Sequence, residues 1–216
     1  MFPPRWFLPY DAILQIITAL VALAVAVYAL RGYQWVKERT LYALFLAFVL
    51  LSGGLLVSGV TLAYTYLVDV PFSRHVQPLV ASDLGFWVYY MASMMAFSIL
   101  VIAYASRLRP SLVALAGMLI FGQRSAGGSL VSAGPFMEMV LVVLLLFIVI
   151  AQLAHLIARW SWHSLMVTAS FTMIMGSHVL MMFSSIEDTM YVLGRIVGLA
   201  GFLSLAGVLY LLRRKG

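Results

Sequence analysis

The chain reads as a series of long apolar runs, each closed by charge, proline or glycine. A membrane-spanning helix needs roughly 20 predominantly apolar residues. The pattern predicts a first helix over about Asp11–Leu30, closed by RGYQWVKER, and a second over Thr40–Leu67, long enough to tilt or to project beyond a bilayer. The stretch VDVPFSRHVQPLVASD follows, where Pro71 and Pro78 argue against helix. A third helix is expected over Leu84–Ser106, closed by RLRP. The fifth, sixth and seventh are expected over Phe136–Ala158, His163–Ser185 and Thr189–Leu212, the last closed by RRKG.

The segment between the third and fifth helices, residues 110–135, is ambiguous. Its clean apolar run is only Ser111–Gly122, and Gln123 and Arg124 interrupt it. Cytoplasmic loops carry the excess of Lys and Arg, and this asymmetry decides the case. If the segment crosses, one side receives Arg31, Lys37, Arg39, Arg107, Arg109, Arg159, Arg213, Arg214 and Lys215, and the other only Arg5, Arg74 and Arg124. If it does not cross, Arg159 and the C-terminal basic residues change sides and the bias collapses. The expectation is therefore an all-α, seven-transmembrane-helix bundle over residues 1–216. Its N-terminus lies outside, its C-terminus is cytoplasmic, and its fourth helix is short. Asp69, Asp83, Glu187 and Asp188 then all fall outside. The N-terminal MFPPRWFLPYD reads as an interfacial cap rather than a signal peptide.

Composition sharpens the class. Of 216 residues, 64% are hydrophobic and 9% charged, against about 25% charged in a soluble domain, and the mean hydropathy is +1.07. Such a chain cannot cover a water-facing surface, so the reading is a multi-pass protein of the cell membrane with the lipid bilayer as its main partner. The net charge of +6 marks sidedness rather than nucleic-acid binding. Cysteine is absent, which excludes disulfides, thiolate chemistry and covalently attached haem. The lysines are Lys37 and Lys215, both expected outside the bilayer, so a retinal Schiff base has no partner. HExxH, GxSxG, paired intramembrane aspartates, a glycine-rich phosphate loop and a channel filter are also missing. No complete catalytic constellation is present. The acids stop near the outer edge, so no acid chain for proton pumping runs through the core.

Polar groups inside a membrane are costly and are the default functional candidates. Arg195 lies about two turns into the seventh helix. Glu138 lies near the outer start of the fifth, and Asp11 and Gln15 near that of the first. His178, in MIMGSHVLMM, lies roughly 13 Å below Glu187 at 1.5 Å per residue. Met94 and Met95 share its depth. The candidates therefore gather in the outer half of the bundle.

Each candidate admits a structural and a functional account. Arg195 is either in an ion pair with Glu138 or Asp11 or snorkelling to the outer headgroups, or an anion contact in an outward-facing cavity. His178 either hydrogen-bonds to a neighbouring helix, or ligates a b-type haem or copper with Met94 or Met95. MASMM, with Met91 and Met95 four apart, is either packing or a copper-permeation face. His155 and His163, with Trp160 and Trp162, look like an interfacial belt, and His75 sits in the outer loop. Gly54 and Ser58, and Gly194, Gly198 and Gly201, form small-residue faces that serve either packing or a protein partner or homo-oligomer.

Three functions follow. The first is a non-catalytic seven-helix subunit or receptor-like module, binding a partner or small ligand in the outer half around Arg195, Glu138 and His178. The second is an electron-transfer subunit holding one haem b or a copper site. The third is a small transporter, hinted at by the Gly-Gln-Arg break in the fourth helix.

Overall fold

The computed structural model describes residue 4 and residues 6–69, 77–105, 133–158 and 160–214. Six helices within them are long and apolar enough to cross a membrane: α1 (Leu8–Val36), α2 (Arg39–Asp69), α3 (Gln77–Ala105), α4 (Ala133–Ala158), α5 (Trp162–Met182) and α6 (Asp188–Arg214). They correspond to the first, second, third, fifth, sixth and seventh expected spans. The apolar run expected to form a short fourth helix, with Arg124, lies outside the described residues, as do Arg74 and His75.

Helix boundaries follow local chemistry. Pro9, Pro78 and Pro135 all sit in first turns, where a backbone N–H has no intrahelical acceptor to lose. This corrects the expectation at Pro78: α3 begins at Gln77 and runs through the proline. The α1–α2 connection is two residues long, and Lys37 makes it in the left-handed conformation (φ 58°), its N–H returning to the Tyr33 carbonyl at 2.8 Å. At the start of α5, Ser161 is extended and its hydroxyl accepts the Ser164 N–H at 3.1 Å, an N-cap that satisfies one orphan donor. After Met182 the chain tightens into a 3-10 turn, Phe183–Ser185, before α6.

The six helices pack in a closed ring: α1 on α2, α2 on α3, α3 on α4, α4 on α5, α5 on α6, and α6 back on α1. Two of these joints are parallel. Tyr90 bonds Glu138 and Tyr104 bonds Gln152, both forty-eight positions apart, so α3 and α4 run in one direction in constant register. Likewise Asp11 meets Tyr191 near the starts of α1 and α6, and Tyr28 meets Tyr210 further along both. Hence α1, α3, α4 and α6 begin at one end of the bundle, called here the entry end, and α2 and α5 begin at the far end. The ring divides into two like units, α1–α3 and α4–α6, each up-down-up. They meet at α1·α6 and α3·α4.

One core cluster draws on all six helices and fills the middle of the ring. Phe48 of α2 and Phe202 of α6 meet edge to face at 5.8 Å, flanked by Leu51, Phe97, Phe171 and Ile174. The small-residue faces are spent inside it. A Cβ on Gly54 would stand 2.7 Å from that of Ala92. On Gly194 or Gly201 it would approach the carbonyl oxygens of Ser177 and Ser170 at 3.0 and 3.1 Å, and on Gly198 the Ser177 hydroxyl at 3.2 Å. Ser58 is buried against α3. These residues close α2·α3 and α5·α6, the packing alternative of the two that the sequence offered. The outward faces carry Ile102, Leu146, Ile157, Leu203 and other exposed apolar side chains, as contact with lipid requires.

Candidate functional site

Near the entry end the interior becomes polar, around two buried carboxylates. Asp11 comes from the first turn of α1 and Glu138 from the second turn of α4. Both are almost wholly buried, at 0% and 1% exposed. A carboxylate without a partner at such depth would cost several kcal/mol, so each organises its neighbours.

Asp11 gathers donors from α1 and α6. Tyr191 donates its hydroxyl to Oδ2 at 2.7 Å, and Gln15 donates Nε2 to the same oxygen at 3.0 Å. Nε of Arg195 lies 2.9 Å from Oδ1, a contact of opposite charges whose N–H is directed at the Tyr191 hydroxyl, 3.3 Å away. Nη2 of Arg195 donates to that hydroxyl at 2.8 Å. The guanidinium also lies over the rings of Tyr191 and Tyr89, at 5.1 and 6.0 Å from their centroids. The helix spacing makes this possible, because Tyr191 and Arg195, like Asp11 and Gln15, are four apart and share a face.

Glu138 gathers α3 and α5. The Tyr90 hydroxyl donates to Oε1, and Nδ1 of His178 stands 2.6 Å from Oε2. The His178 ring is 4% exposed and meets the Phe97 ring edge to face at 6.1 Å. Its environment therefore answers whether it faces lipid: it faces the core. Between the two clusters lies a cavity of about 30 Å3 lined by Gln15, Thr18, Ser177, His178 and Arg195, with Tyr89, Phe97 and Phe202 around them. It has room for about one water. The amide oxygen of Gln15 accepts no hydrogen bond from a described residue.

The sequence-predicted residues thus form two bonded pairs, and Arg195 of one and His178 of the other line the same small cavity. Arg195 goes to Asp11 and not to Glu138. His178 goes to Glu138. Met94 packs against the apolar core. Met95 is 58% exposed and Met91 also faces outward, so neither shares the interior with His178. The MASMM face does not line a passage among the described helices. The residues that sequence reasoning missed are the tyrosines, Tyr90 and Tyr191, which bridge the two units at their joints. The available signal was a hydroxyl deep in an apolar run, with Tyr191 one turn before an arginine.

At the far end the ring opens. A cavity of about 580 Å3 enters between α2, α3, α4, α5 and α6. Its deep wall is apolar, with Leu44, Val167, Phe171, Leu205 and Leu209. Its rim carries Glu38, Thr40, His155, Ser161, His163 and Ser164. Part-way down, Gln152 donates to the Tyr104 hydroxyl at 2.6 Å. Gln152 and this cavity were not legible in the sequence, which pointed only to the outer half.

No protein-family model, curated protein or solved structure matches this chain. Among the described residues, no group of three or more His, Asp or Glu side chains is placed to hold a metal ion.

Proposed function

We propose that the chain is a small membrane carrier with seven crossings, held with one end of its central passage closed. The observation that carries this reading is the contrast between the two ends. A cavity of about 580 Å3 enters from the far end, and two acid-centred clusters clasp the entry end. Carriers built from two like halves bind cargo where the halves meet. Here each joint is bridged by an acid from the first helix of one unit and a tyrosine from the last helix of the other, Asp11 with Tyr191 and Glu138 with Tyr90. Between clasp and cavity stand Phe97 and Phe202, which line the small cavity, Phe171, which lines the large one, and Phe48, packed against Phe202.

A seventh crossing is supported by direction. Helix α3 ends at the far end and α4 begins at the entry end. Arg31, Lys37 and Arg39 lie at the far end, and Glu187 and Asp188 at the entry end. The positive-inside rule then favours a cytoplasmic far end, with the N-terminus outside and the C-terminus in the cytoplasm of a cell membrane.

The second reading is the non-catalytic receptor-like subunit. It is favoured by how completely the entry-end groups satisfy one another around a space for a single water. The haem or copper reading has weaker support, because Met95 points out of the bundle and Met94 packs in the apolar core.

Because the chain has no cysteine, access can be read with single cysteines. Ser177→Cys, lining the small cavity, should react slowly with an impermeant maleimide added at the entry side. In a Tyr90→Phe, Tyr191→Phe background, which unlatches both joints without stranding a buried charge, it should react several-fold faster, as the loss of two intramembrane hydrogen bonds of about 0.6 kcal/mol each requires. An unchanged rate would sink the carrier and leave the receptor-like module.

A further inference from the structure

We infer that the far-end cavity binds a single-chain amphiphile with an anionic head, a carboxylate or a phosphate, its head at the rim and its chain directed toward Phe171 and Leu205. The inference rests on the carrier reading in treating this cavity as the working site.

Three observations carry it. First, the volume of about 580 Å3 falls within the roughly 300–1,000 Å3 of small-molecule sites, whereas the entry-end cavity holds about one water. Second, the lining is segregated along the bundle axis. From His163 to Phe171 the cavity follows α5 for eight residues, about 12 Å at 1.5 Å per residue. Polar groups occupy the first turn, and Val167 and Phe171 the turns below it. A uniformly polar solute would leave the lower half dry and unmatched, and a pure hydrocarbon would strand the rim. Third, the rim holds polar atoms with spare capacity. Nδ1 of His163 and the hydroxyl oxygen of Ser164 are buried and have no hydrogen-bond partner among the described residues.

The sign of the head follows from the surroundings. The rim is built around the N-terminus of α5, whose dipole favours negative charge. Thr40 and Glu38 of the rim flank Arg39, and Lys37 precedes them. Glu38, the acid of the rim, is engaged in an interaction of its own within the chain.

The test is native mass spectrometry of the full chain released from nanodiscs, with dodecanoate, dodecyl phosphate, dodecyltrimethylammonium or inorganic phosphate added in turn. The two anionic amphiphiles should each add one equivalent, and the cationic one none. Inorganic phosphate should not displace them. Ala154→Trp plugs the rim from an exposed lining position and should abolish the adduct. His163→Ala should weaken it about three- to tenfold, the worth of one hydrogen bond. Both variants should unfold at the parent temperature. Equal binding of the cation, full competition by inorganic phosphate, or an adduct that survives Ala154→Trp would each overturn the inference. The Ser177→Cys labelling reads the clasp independently. Loss of these adducts with labelling intact overturns the ligand class and leaves the carrier standing.

Discussion

An arginine inside an apolar helix is tolerable when its charge is matched, and Arg195 is matched by Asp11 at 2.9 Å. Removing one member of a buried pair strands the other, at a cost of about 3–5 kcal/mol. Arg195→Met alone and Asp11→Asn alone should therefore each destabilise strongly in a reversible unfolding titration. The double variant should recover a large part of the loss, because neither charge then remains. Additive losses would show that the two do not interact. Tyr90→Phe is a milder change, removing one hydroxyl from Glu138. Intramembrane hydrogen bonds average about 0.6 kcal/mol, with a ceiling near 1.7, so the same titration should register a loss in that range. Asp11, Glu138, His178 and Arg195 were legible as candidates because the penalty for burying them is a property of each residue by itself. Their pairing was not legible. Asp11 and Tyr191 are 180 positions apart, and Glu138 and His178 are 40 apart, and nothing local selects Asp11 over Glu138 as the partner of Arg195. The tyrosines passed unnoticed because an aromatic ring in an apolar run reads first as packing.

Among the elements, α6 offers a comparison within one helix. A Cβ on Gly201 would stand 2.9 Å from Ile174 Cγ1 and 3.1 Å from the Ile174 nitrogen, whereas one on Gly207 meets nothing within 4 Å. Gly207→Ala should stabilise by about 0.5–1 kcal/mol, the ordinary gain from replacing a helical glycine. Gly201→Ala should destabilise, since the atoms opposite include backbone that cannot step aside. Thermal unfolding of the two variants in one detergent would show the opposite signs. At the α1–α2 connection, Lys37 holds a left-handed conformation that costs a side chain about 1 kcal/mol. Lys37→Gly should raise stability by a comparable amount, less the loss of the lysine's cation–π contact with Tyr33 at 5.8 Å. The positions of the helices were legible to within a few residues, because lipid imposes a minimum apolar length on every span. Their termini were less so. Pro78 looked like a boundary, yet a proline in a first turn gives up no hydrogen bond, and α3 simply starts one residue earlier.

For the whole molecule, the parallel run of α3 beside α4 is the feature with most leverage. Two hydrogen bonds in the same register, Tyr90 to Glu138 and Tyr104 to Gln152, define it. It predicts that cysteines introduced at the exposed positions Asp83, near the start of α3, and Ala158, at the end of α4, react with impermeant reagent from opposite faces of the membrane, with Ala158 on the face of Lys37. Labelling of both from one face would contradict the parallel arrangement and the count of seven crossings with it. Charge asymmetry along the sequence is the other support for the proposed seventh crossing, because it sums over every loop at once. The ring itself was hidden, since closing it depends on α1 meeting α6 and hydropathy carries no information about neighbours.

That closure also sets a timetable for biogenesis. Asp11 enters the bilayer with α1, and Tyr191 is synthesised 180 residues later. At roughly 5–20 residues per second, the aspartate waits on the order of ten seconds or more for the helix that neutralises it. A lone aspartate placed at mid-membrane costs about 2.5–3.5 kcal/mol on insertion scales, and its position in the first turn of α1 lets it wait near the headgroups instead. The ring is therefore assembled open and clasped last, and a chain whose synthesis halts before α6 is left with an acid that the finished bundle would have hidden.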